Sequence, residues 1–188
     1  MRTSNRPSGL PAKALATAGV RPLPKVTLTM SPRLVRILKP ALIVFAVLLV
    51  GAQFIRPAKN LSTAAPGPDD LTVLRPPAPE VKAVLERACF DCHSNNTRYP
   101  WYAEIQPIGW WLADHVKEGK AHLNFSTFGT YPAKRQERKL NELMDEVEEG
   151  QMPLASYKLV HADARLTPDE IKALTDWAAT VRENLPVK

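Results

Sequence analysis

The five residues Cys89-Phe90-Asp91-Cys92-His93 hold both cysteines of the chain, and the fold has to be built around them. On a turn of helix, positions i, i+3 and i+4 share a face, so two thiols and an imidazole are presented together. A structural zinc site needs four ligands, commonly from two Cys/His pairs, and the sequence holds no second pair. A thioredoxin-like pair belongs beside a βαβ pattern, which is absent from the sequence pattern. A plain disulfide would leave His93 without a role. Two thiols can add across two vinyl groups while the adjacent imidazole coordinates a metal at the centre of the same flat ligand. That ligand is haem, and the spacing is its attachment signature. One covalent haem c is therefore expected, with thioethers from Cys89 and Cys92 and with His93 as the proximal iron ligand.

Upstream, Pro40 to Ile55 runs without a charge and with a single amide, Gln53. Sixteen helical residues rise about 24 Å, slightly short of a bilayer's apolar core, and Ile37–Leu38 with snorkelling Lys39 and Arg56 extend the span. The expected anchor is 37–55. Arg33, Arg36 and Lys39 precede the uncharged run at Pro40, so the positive-inside bias keeps the N-terminus in the cytoplasm and exports the chain beyond Ile55. A cleaved signal peptide is the rival reading, with Val50-Gly51-Ala52 as a small-residue cleavage site. Met30-Ser-Pro-Arg also offers an alternative start.

The formal charge of +6 divides unevenly. The first 68 residues carry ten Lys/Arg and no acid, while 69–188 carry fifteen against all nineteen acids, a net of −4. The basic excess lies in a tail, 1–36, rich in Pro, Ala and Thr and expected to be disordered on the cytoplasmic side. A nucleic-acid-binding domain would carry its basic patch on the folded part, so no nucleic-acid partner is expected.

Six prolines between 56 and 79 read as an extended linker holding the domain off the bilayer. The domain itself is expected over 80–185 and all-α, since no run alternates long enough for a strand. Its first helix is expected at 79–92, with Val81, Val84, Leu85 and Ala88 as its stripe. A second starts at Pro107, carries Ile108, Trp111, Leu112 and His115, and ends near Gly119. A third spans 132–149, striped by Leu140, Leu143, Met144 and Val147 and stopped by Gly150. The last opens on the capping box Thr167-Pro168-Asp169-Glu170, with Ile171, Leu174, Ala178 and Val181 inward.

For the second axial position Met152 is the first candidate. It lies just past the Gly150 stop and precedes Pro153, so its thioether sits on a constrained loop and not in a helix stripe, as Met144 does. His115 is the rival, lying beside Trp111 on an apolar face. His122 and His161 sit in polar, turn-like surroundings and are expected to be exposed. Tyr99, Trp101, Tyr102, Trp110 and Trp111 come soon after the motif and read mainly as packing against a porphyrin. The second nitrogen of His93 needs a partner, with the carbonyls of Pro100 or Pro107 as candidates.

The pattern resembles the haem-binding-domain family of small membrane-anchored bacterial c-type cytochromes, over about Glu80 to Leu185. The likeness rests on the block from Cys89 to Tyr102, on His115 to Ser126, on Glu146-Val-Glu-Glu-Gly-Gln-Met-Pro-Leu154, and on Leu166-Thr with Trp177. It implies a small cytochrome c-like domain outside the bacterial inner membrane, in the periplasm, with Met152 as the natural distal ligand. It names no redox partner. Single-electron transfer to partner proteins is the function expected. A peroxidase-like enzyme with an open distal site and His115 above the iron is one alternative. A haem-based sensor or subunit, docking through Asp145-Glu146-Val-Glu148-Glu149, is the other.

Overall fold

The computed structural model describes residues 31–185. The basic tail up to residue 30 and the alternative start at Met30 lie outside these residues. Among the described residues every regular element is helical.

The first helix, α1, runs from Pro32 to Ala52 and takes Arg33, Arg36 and Lys39 into its opening turns. It begins five residues before the expected anchor and stops three residues before its expected end. At 21 residues it rises about 31 Å, so the shortfall expected of sixteen residues disappears. An 18-residue stretch within Arg33–Ala52 has a mean hydropathy of 2.3 and no buried residue, so the helix is long and apolar enough to cross a membrane.

Residues 56–79 are not the extended spacer that their prolines imply. Asn60 sends its side-chain amide to the Ser94 carbonyl at 2.8 Å and to Thr97 Oγ1 at 2.9 Å. The short helix α2, Leu71–Leu74, is capped by Asp70, and Leu71 is buried in the main core. Prolines remove backbone donors but leave side chains and carbonyls free to dock.

The core lies where three helices meet. α3 (Pro79–Ala88) presents Val81, Val84 and Leu85, α6 (Ala133–Glu148) presents Leu140, Leu143 and Val147, and α8 (Pro168–Glu183) presents Leu174, Ala178 and Val181. These are the stripes expected from helical spacing. Phe125 and Phe128, from a 3₁₀ segment at Phe125–Thr130, fill the space beside them. The capping box of α8 is complete, with Thr167 and Glu170 exchanging side-chain and backbone bonds.

Two helices differ from expectation in ways that matter for the site. The expected helix 79–92 is broken at Cys89, whose φ of −122° separates α3 from the single turn α4 (Phe90–His93). The second helix, α5, covers Ile108–His122 and does not stop at Gly119. A Cβ at Gly119 would lie 2.7 Å from the Cys92 carbonyl oxygen, so the missing side chain admits a close helix approach and marks no terminus. A short helix, α7 (Ala155–Val160), comes directly after the Met152–Pro153 loop.

Candidate functional site

Backbone bonds hold the motif on one turn. Cys92 N and His93 N both donate to the Cys89 carbonyl, at 3.2 and 3.0 Å. Phe90 sets its ring edge-on to Phe125 at 5.4 Å and fastens the turn to the core. His93 Nδ1–H donates to the Leu123 carbonyl at 2.9 Å. This replaces Pro100 and Pro107, the partners expected from sequence. It fixes the ring and leaves Nε2 as the nitrogen available to a metal. Burial lowers the His93 pKa, against the opposing effect of the Leu123 bond, so the neutral, lone-pair-bearing form is favoured.

No disulfide joins the two cysteines. Burial, with a smaller push from Cys92, raises the Cys89 thiol to about 12. Burial and then Asp91 raise Cys92 to about 11. At neutral pH both are protonated, a condition that resists oxidation and exchange.

Asp91, between the two cysteines, is buried and heavily bonded. Its carboxylate accepts two bonds from the Arg98 guanidinium, both at 3.1 Å, one from the Arg98 backbone N–H at 3.0 Å, and one from the Tyr157 hydroxyl at 2.7 Å. The Asp91 bond raises the Arg98 pKa. Burial first, and then that same carboxylate, raises the Tyr157 pKa. Tyr157 stacks on His161 at 4.1 Å, and Tyr102 donates to His161 Nε2 at 3.3 Å. His161 is thus half-buried in an aromatic stack, not exposed.

Met152 is placed by the end of α6. Gly150 has φ of +72°, the left-handed geometry that a glycine adopts without strain. The chain reverses there, and Met152 N–H donates to the Glu146 carbonyl at 2.9 Å.

A cavity of about 570 Å³ opens between these parts. Cys89, His93 and Met152 all line it, with Leu123, Leu143 and Leu174 among its apolar walls. An adjoining cavity of about 270 Å³ shares His93 and Met152 and adds Cys92 and His115. The first size lies within the range of about 300–1,000 Å³ typical of small-molecule and cofactor sites. Of these two spaces His115 reaches only the smaller, and it also lines a third, of about 320 Å³, with Trp111 and Tyr157. Its Nδ1–H donates to the Trp111 carbonyl at 2.9 Å, and its ring lies 4.2 Å from that of Trp111. His122 is exposed, as expected, yet lines both cavities. Arg138 and the buried Lys139, which pairs with Glu142, stand at the wall of the larger one. Nothing in their spacing separated these two from an ordinary solvated helix face.

Among the described residues no three His, Cys, Asp or Glu side chains gather into a metal-binding group. The model of the haem-binding domain family matches residues 47–180, most of the chain. The chain belongs to this family. Haem binding goes with that membership, and the residues of the domain suit the group. The larger cavity is mostly apolar, and an imidazole with one nitrogen uncommitted lines it with a thioether and a thiol. No curated protein and no solved structure matched. The aromatic cluster of this haem-binding domain departs from the packing role expected of it, because Trp101, Trp110 and Trp111 are exposed.

Proposed function

We propose that this haem-binding protein is a membrane-anchored c-type cytochrome that passes single electrons on the periplasmic side of the bacterial inner membrane. One haem is held by thioethers from Cys89 and Cys92, with His93 as proximal and Met152 as distal iron ligand. The observation that carries the reading is that His93 and Met152 line both adjoining cavities, with Cys89 on the larger and Cys92 on the smaller, while His115 reaches the smaller and not the larger.

When bound, the haem supplies a one-electron ferric–ferrous couple. The chain supplies the rest. His93 is oriented by Leu123, and the Met152 thioether would hold the iron together with it and raise the reduction potential. Leu143, Leu174 and Phe125 give the cavity its apolar wall. If His93 and Met152 together held the iron, substrate would have no open coordination site, which would favour a carrier over a peroxidase.

α1 serves as the anchor, and its basic N-terminal flank keeps that end in the cytoplasm. Redox partners of basic surface would dock at the exposed acids Asp145, Glu146, Glu148 and Glu149 beside the cavity.

Two measurements test this. The intact mass of exported protein must exceed that of the polypeptide by one haem, and the pigment must survive acid extraction. Spectra of Met152→Ala in both redox states must lose the methionine–iron band while His115→Ala keeps it. Apoprotein mass would end the covalent reading. Carbon monoxide binding to untreated protein would move the case to an open-site enzyme.

A further inference from the structure

The exposed aromatic residues lie where α1 ends. Trp110 Nε1–H donates to the Ile55 carbonyl at 2.7 Å. Gln53 and Gln106 exchange bonds in both directions, side-chain amide to backbone carbonyl at 3.1 Å and backbone N–H to side-chain oxygen at 3.0 Å. Gln106 is buried, and its side-chain oxygen also accepts from Trp110 N–H at 3.0 Å. Arg56 and Lys59 both pair with Glu104. The stretch just past α1 is therefore bonded directly to the start of α5, with no free spacer between them.

Around this junction the surface is apolar. Phe54 is 84 % exposed, Ile55 65 % and Trp101 77 %. Ile108, Trp111 and Val160 are exposed as well and line one groove. Monomeric soluble proteins rarely leave so many large apolar side chains contiguous in water. Tryptophan is the residue enriched at the membrane–water boundary, where its ring meets acyl chains and its N–H stays near polar groups. Arg56 and Lys59, at the rim, carry the charge that anionic headgroups attract.

We infer that this face, built from Phe54, Ile55, Trp101, Ile108, Trp111 and Val160, is seated in the lipid headgroup region and holds the domain against the bilayer. The inference rests on the reading of α1 as a membrane anchor and goes beyond it. An anchor alone permits a domain swinging free in the periplasm, whereas this surface fixes one side of it to lipid. The continuity of the patch with the apolar helix favours lipid over a second protein as its cover.

The chain has four tryptophans, and Trp177, packed against the core, serves as an internal control. Full-length ferric protein labelled with fluorotryptophan would be placed in lipid-only nanodiscs of phosphatidylcholine and phosphatidylglycerol. Fluorine spectra would be compared with and without a lipid bearing a doxyl group near its glycerol backbone, and each line assigned by a Trp→Phe variant. The expected result is loss of the Trp101 and Trp111 lines with the Trp177 line retained. If the protein elutes with the discs but all lines persist, the anchor stands and the lipid-seated face is overturned in favour of a protein cover. If the protein does not elute with the discs, the anchor reading fails and takes this inference with it.

Discussion

The Tyr157 hydroxyl donates to the Asp91 carboxylate at 2.7 Å, and this contact ties the segment after Met152 to the middle of the cysteine turn. Tyr157→Phe keeps the ring and removes the donor. A hydrogen bond to a charged group contributes about 1.5–3 kcal/mol, so denaturant unfolding should show a loss of that order. Arg98 still holds Asp91, so the haem content should remain near wild type. The methionine–iron band should weaken, because the loop carrying the proposed distal ligand loses its tie. An unchanged band would show that Gly150 and the Met152–Glu146 bond alone position the thioether.

Gly119 sits where α5 passes closest to the motif. A Cβ there would lie 2.7 Å from the Cys92 carbonyl oxygen and 3.1 Å from its Cβ, and backbone cannot yield as a side chain would. Gly119→Ala should therefore force α5 away from α4 despite alanine's better helix propensity, at a cost of about 1–3 kcal/mol. Haem-to-protein ratio and thermal midpoint should both fall. A midpoint that rises would show that helix propensity outweighs the close approach.

The core was readable because it is periodic. Leu140, Leu143 and Val147 on α6 and Leu174, Ala178 and Val181 on α8 fall at helical spacing, and all six are buried. The Thr167–Glu170 capping box is equally local and appears as written. The features missed are long-range or made of backbone. The Leu123 carbonyl that holds His93 has no side-chain signature. Asn60 and Leu71 dock through contacts that a count of prolines cannot register. Gly119 carries two meanings in sequence, terminus and close approach, and only the position of Cys92 chooses between them. The break at Cys89 is invisible to a stripe that continues smoothly through Ala88.

Leu140 is fully buried between α6 and the core yet lines neither of the two cavities beside the cysteine turn. Leu140→Ala should cost about 2–5 kcal/mol through lost burial and a residual void. At temperatures where the variant is still folded, its absorption spectrum should match wild type in both redox states. A changed spectrum in folded protein would mean that α6 packing reaches the iron ligands.

Glu170 links the last helix to the helix that leads into the motif. One carboxylate oxygen accepts from Thr167 N–H at 2.9 Å, and the other pairs with Arg87 at 2.7 Å. The Thr167 backbone bond, helped by Arg87, holds its pKa below the ordinary 4.5 against the opposing effect of burial. A carboxylate whose folded pKa is depressed contributes stability that is fully present above its unfolded value. That contribution is lost as pH falls through the folded value, where the native state must also take up the proton. Glu170→Gln removes the charge and keeps the shape. The variant should be less stable than wild type near pH ~7, and the gap should close toward pH ~3, as measured by urea unfolding at both. Thr167→Ala should instead cost about 0.5–2 kcal/mol through the lost cap, with only the part owed to Glu170 varying with pH. A gap between Glu170→Gln and wild type that stays constant from neutral to acid would show that the ionised carboxylate adds nothing beyond its shape.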